Sequence, residues 1–67
     1  MIKLVFLENS KGQKSYIKSF NSQTGYMAFT PDIKQAQRCD DETVSYYKRL
    51  GGSEFTFCME EVSEDGN

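Results

Sequence analysis

The chain has 67 residues, with 8 basic and 10 acidic side chains, a net charge of −2, two cysteines and no histidine. That length makes one domain with a small core and leaves little room for a deep enzymatic cleft. A mild acidic balance argues against a strong phosphate track. The opening MIKLVFLENS is apolar for too few residues to be a secretory h-region or a membrane span.

Residues 2–7, Ile-Lys-Leu-Val-Phe-Leu, read as a strand that is apolar on both faces and therefore central. A turn cluster follows around Gly12. Residues 14–20, Lys-Ser-Tyr-Ile-Lys-Ser-Phe, predict a second strand. After a turn ending at Gly25, residues 26–29, Tyr-Met-Ala-Phe, predict a short third. Together they form an antiparallel meander.

Thr30-Pro31-Asp32 has the chemistry of a helix entry, so a brief helix is expected over residues 31–37, with Ile33 and Ala36 facing inward. Asp40-Asp41-Glu42 then opens a second helix, capped by Asp40 or Asp41. Its buried stripe is Val44, Tyr47 and Leu50, and Gly51-Gly52 stops it. Residues 54–62 predict a half-buried last strand through Phe55, Phe57 and Met59. The polar residues 63–67 are expected to be a disordered acidic tail.

The predicted fold class is α+β over residues 1–62. It is a four-stranded, mainly antiparallel sheet in the sequence β-β-β-α-α-β, strand order 4-1-2-3, with both helices on one face. Phe55, Phe57 and Met59, together with Ile17, Met27 and Phe29, are expected under the helices. The opposite face then carries Tyr16, Lys18, Phe20, Tyr26 and Ala28, joined by Val5, Leu7 and Cys58. Such an aromatic face with a basic edge suits a partner.

The expected contact set is Lys14, Tyr16, Lys18, Phe20 and Tyr26, with Tyr46 as an exposed neighbour on the long helix. Three occupants fit: another protein, a second copy of the chain, or single-stranded nucleic acid stacked on the aromatics. No RNA-recognition pattern is present, so nucleic acid ranks below protein. A bland reading competes, in which Tyr16, Phe20 and Tyr26 merely cover a thin sheet. The acids at 40–42 are explained by capping rather than by imitation of phosphates.

Enzymatic chemistry finds no support. Histidine, the commonest general base, is missing, and Cys39 and Cys58 have no activating partner in the sequence. No CxxC, phosphate loop or metal-ligand spacing occurs, so neither a metal nor a cofactor is expected. The two cysteines read as free thiols in a reducing cytoplasm.

Laid side by side, Tyr16-Ile17-Lys18-Ser19-Phe20, Phe29-Thr30-Pro31-Asp32-Ile33-Lys34-Gln35-Ala36 and the helix ending Leu50-Gly51-Gly52 resemble small proteins of phages and prophages of Gram-positive bacteria. The likeness covers about residues 15–62. Thr43 and Ser45 stand where that pattern favours Glu or Ala. The resemblance implies a phage-encoded inhibitor that binds a host protein or a defence system. It assigns no residue a role.

Overall fold

The computed structural model describes residues 2–63. Four strands and one helix follow in the order β1 (Ile2–Glu8), β2 (Lys14–Asn21), β3 (Tyr26–Thr30), α1 (Asp41–Gly51) and β4 (Cys58–Val62). All pairings are antiparallel and the sheet order is β3-β2-β1-β4, which is 4-1-2-3 counted from the opposite edge. The expected tail lies, apart from Ser63, outside the described residues.

Local chemistry sets the turns. Asn9 Oδ1 accepts from the backbone N–H of Lys11 and Gln13, and Gly12 takes φ 82° to close the first hairpin. Asn21 does the same at the second turn, accepting from Gln23 N–H, with Gly25 at φ 78°.

The helix expected over 31–37 does not form. Thr30 Oγ1 accepts from Asp32 N–H at 3.1 Å and Asp32 Oδ1 from Lys34 N–H at 2.9 Å. These bonds hold the backbone in turns instead of a helical ladder. The remaining donors go elsewhere: Gln37 N–H bonds Ile17 O at 2.9 Å, and Cys39 exchanges two backbone bonds with Lys3 at 2.9 and 3.1 Å. β1 and β2 pair from Phe6↔Tyr16 to Glu8↔Lys14. Beyond that point residues 37–39 take up the backbone groups of both strands.

The crossing has a large consequence. Ala36 packs with Leu4, Phe6 and Tyr16, while Cys39 packs with Val5, Ile17, Val44 and Tyr47. By register these are opposite faces of the sheet. The chain therefore passes from one face to the other between residues 36 and 39, and covers part of both. Helices on one face alone is corrected to α1 on one face and an irregular segment on the other.

α1 begins as its sequence requires. Asp40 Oδ1 accepts from Thr43 N–H at 2.8 Å, Asp41 and Glu42 stand in the first turn, and Lys48 and Arg49 in the last. That N–H bond holds the Asp40 carboxyl below the usual aspartate range. Gly52 caps the end at φ 58°, donating to Arg49 O. Val44 and Tyr47 are buried as expected, but Leu50 is not. Lys3 pairs with Asp41 and reaches Glu61, which ties the start of α1 to β1 and β4.

The last strand is shorter than expected. Glu54 and Phe55 N–H both bond Gly51 O, at 3.2 and 3.1 Å, so the chain stays coiled after the helix. Strand geometry starts only at Cys58. Gly51 is needed for packing here, since a Cβ on it would stand 2.8 Å from the Phe57 ring.

Candidate functional site

One residue redistributes the aromatic side chains. Between Ile17 and Ser19 the β2–β3 register slips, so that Ile17↔Phe29 is followed by Ser19↔Ala28 and Phe20↔Met27. Lys18 is the extra residue of a β-bulge. Without it, Phe20 would share a face with Tyr16. With it, Ile17 and Phe20 both point to the helix side, where Phe20 packs against Tyr46 and Tyr47 at ring-centroid distances of 6.2 and 6.1 Å.

The expected contact face is thereby divided. Tyr16 is only 6% exposed, with its ring 5.5 Å from Phe6 under Ala36. Its hydroxyl donates to Glu60 at 3.1 Å. Burial, with that bond and the Glu60 charge, pushes the Tyr16 phenol up from its ordinary value. Lys14 lies 4.8 Å over the Phe6 ring and 3.1 Å from Glu60, whose hydrogen bond raises the lysine. Lys18 and Tyr26 remain exposed, as does Tyr46 on α1, but Phe20 belongs to the helix side and packs against Tyr46. Val5 and Leu7 also face the helix, and Cys58 packs with the opposite cluster.

An apolar opening lies where Met27, Phe29, Leu50, Phe55 and Phe57 were expected to be buried. Leu7, Phe20, Met27, Phe29, Leu50, Phe55 and Phe57, with Gly25 and Gly51 at the rim, line a groove of about 370 Å³. One wall is the β2–β3 hairpin, the other the end of α1 with the coil that follows it. The floor is the β1 end at Leu7. Phe57 is buried, whereas Phe29, Leu50 and Phe55 are 41%, 46% and 54% exposed.

The groove stays open for a structural reason. α1 starts at the Lys3 end of β1 and stops at Gly51, and among the described residues Met27 on β3 is only partly buried and Phe29 stays exposed. The coil caused by the two bonds to Gly51 O leaves Phe55 on the rim, 6.4 Å ring to ring from Phe57. A stripe at every third residue drifts on a helix of 3.6 residues per turn, so the buried positions are Val44, Tyr47 and Gly51, and Leu50 lies to one side of them.

Burial raises the Cys39 thiol, which keeps it protonated at neutral pH. Among the described residues no three His, Cys, Asp or Glu side chains cluster in a metal-binding arrangement. No helix among them is long and apolar enough to cross a membrane.

No family model, curated protein or solved structure matches this chain. Its functional reading therefore rests on the groove and its surroundings.

Proposed function

We propose that the chain is a non-enzymatic protein-binding module and that the groove between the β2–β3 hairpin and the end of α1 is its docking site. The carrying observation is the exposure of Phe29, Leu50 and Phe55 around one continuous apolar depression. Three large apolar side chains left in water beside a core cost the isolated domain solubility, and contact with a partner returns that burial. Aromatic residues in such a setting carry a disproportionate share of binding energy.

A partner would seat aliphatic or aromatic side chains against Phe29, Leu50 and Phe55. Inhibition of a host protein, as the phage resemblance implies, is one form this binding takes. Free thiols at Cys39 and Cys58 suit a cytoplasmic setting. The single-stranded nucleic-acid reading is weakened, because Tyr16 is buried and Lys14 is engaged by Glu60.

The test is affinity capture from a lysate of the source cells with three proteins: wild type, Leu50→Ser with Phe55→Ser, and Lys18→Ala. The expected result is a protein retained by wild type and by Lys18→Ala and lost from the double variant. Removing two such anchors should weaken the complex by about 30-fold or more, corresponding to roughly 2 kcal/mol. Equal retention by all three would remove the groove from the binding surface.

A further inference from the structure

The two edges of the sheet are protected very differently. β4 pairs with β1 and carries Glu60 and Glu61 among its five residues. Two β4 edges brought together about a two-fold axis at Glu60 would set carboxylate against carboxylate. β3 pairs with β2 and reads Tyr-Met-Ala-Phe-Thr, with no charge and no proline. Edge strands are normally blunted by charge, proline or cover. Tyr26 to Phe29 have none of these, while Thr30 at the end of the strand is only 6% exposed and already covered.

We infer that β3 is the seam of a homodimer, in which two copies of this chain pair edge to edge and continue the sheet. An antiparallel continuation needs a two-fold axis perpendicular to the sheet, which keeps the helix faces of both copies on one side. Centred on Ala28, that axis uses the middle of the strand. Ala28 meets itself and Met27 meets Phe29 of the second copy.

The chemistry is self-complementary at each position. Met27 and Phe29 lie on the helix face, so the seam places a thioether beside an aromatic ring twice over, a favourable contact. Ala28 is small enough for close approach at the axis. The strand brings no like charges together.

Area limits the strength of the pair. So short a seam alone falls short of the roughly 1,200 Å² that stable interfaces bury. Apolar surface beside it, chiefly Phe29 and Tyr26 at 67% exposure, must supply the rest. A dimer that forms at high micromolar concentration is expected, with the two grooves side by side along one face. The seam shares Met27 and Phe29 with the groove but not Leu50 or Phe55, so loss of partner capture in the Leu50 and Phe55 variant leaves it untouched.

Sedimentation velocity of the wild type, from low micromolar to millimolar concentration, reads the association. The mass should rise from 7.7 kDa toward twice that value. Ala28→Lys and Ala28→Glu each place like charges across the axis and should each stay at single-chain mass. Mixed in equal amounts they should dimerise again, a rescue that loss of folding cannot imitate. Should either variant lose its fold by circular dichroism, amide exchange on the wild type decides: residues 26–29 should gain protection with concentration while Cys58–Val62 does not. A wild type that keeps its single-chain mass at millimolar concentration overturns the inference. So does association unchanged by Ala28→Lys, or β3 exchange indifferent to concentration.

Discussion

On the face opposite α1, Leu4, Phe6 and Tyr16 are sealed by Ala36 and pinned by Glu60. On the helix face, Val5, Ile17, Val44 and Tyr47 are equally well buried, yet Phe29, Leu50 and Phe55 stand in water at one end. The ingredients of the sealed cluster and the open end are alike, mostly aliphatic and aromatic. What differs is reach. Residues 31–39 extend across the first face and through the gap between β1 and β2, whereas α1 ends before it covers β3. A sheet in a chain this short is closed where a segment happens to pass, and left open where none does.

Substitutions can break that contrast, and the largest effect belongs to the closed side. Leu4→Ala should cost about 2–5 kcal/mol, since Leu4 is fully buried. A domain of this size has only about 3–10 kcal/mol in all. Urea titration should show a large drop in the midpoint or no cooperative transition. A loss under about 1 kcal/mol would mean that the sealed cluster is loose.

Gly51→Ala comes next. Its Cβ would meet the Phe57 ring at 2.8 Å and Phe55 Cβ at 3.4 Å. Pushing a buried ring aside should cost about 1–3 kcal/mol, read in the same titration, and should reshape the groove wall.

Tyr16→Phe should cost about 1 kcal/mol by removing the hydroxyl bond to Glu60. It carries a pH signature as well. The folded phenol titrates above its ordinary value, so its stabilising contribution is complete below the ordinary tyrosine range and is lost as pH rises through the raised value. Wild type should therefore lose stability in alkali more steeply than Tyr16→Phe. Parallel alkaline profiles would count against burial of that hydroxyl.

Leu50→Ser with Phe55→Ser should change stability by only about 0.5 kcal/mol, because neither side chain contributes much to the core. A cost like that of Leu4→Ala would show that the open end is core after all.

The smallest effect is at the helix start. Asp40 has a lowered carboxyl value, so its cap contributes fully above the usual aspartate range and fades as pH falls through the lowered value. Helicity of the wild type should decline there, and Asp40→Asn should flatten the decline.

Much of the fold was legible in the residues, and the reasons are local. The turn glycines, the acid-capped helix with Val44 and Tyr47 inward, and a central first strand follow from short-range patterns that the structure keeps. The errors came from contacts distant in sequence. Thr30-Pro31-Asp32 suits a helix entry as well as a turn, and the choice was made by Gln37 and Cys39 bonding to Ile17 and Lys3. Nothing in Lys14–Asn21 marks Lys18 as a bulge, so the strict alternation that put Tyr16 and Phe20 together was one residue out of step. Of the expected contact residues, Tyr16 went inside and Phe20 joined the helix side, while Tyr46 is exposed on the helix as expected. The groove residues Phe29, Leu50 and Phe55 were visible only as core candidates.

Paramagnetic broadening by a neutral soluble nitroxide or gadolinium chelate tests the contrast most directly. It is read on the methyl and ring signals of dilute protein, below the concentration at which copies associate. Leu50 methyl and Phe29 and Phe55 ring signals should broaden strongly, while Leu4, Val5, Ile17 and Tyr16 stay sharp. Strong broadening at Tyr16, or protection at Phe55 and Leu50 equal to that of Leu4, would contradict a sheet sealed on one side and open at the end of the other.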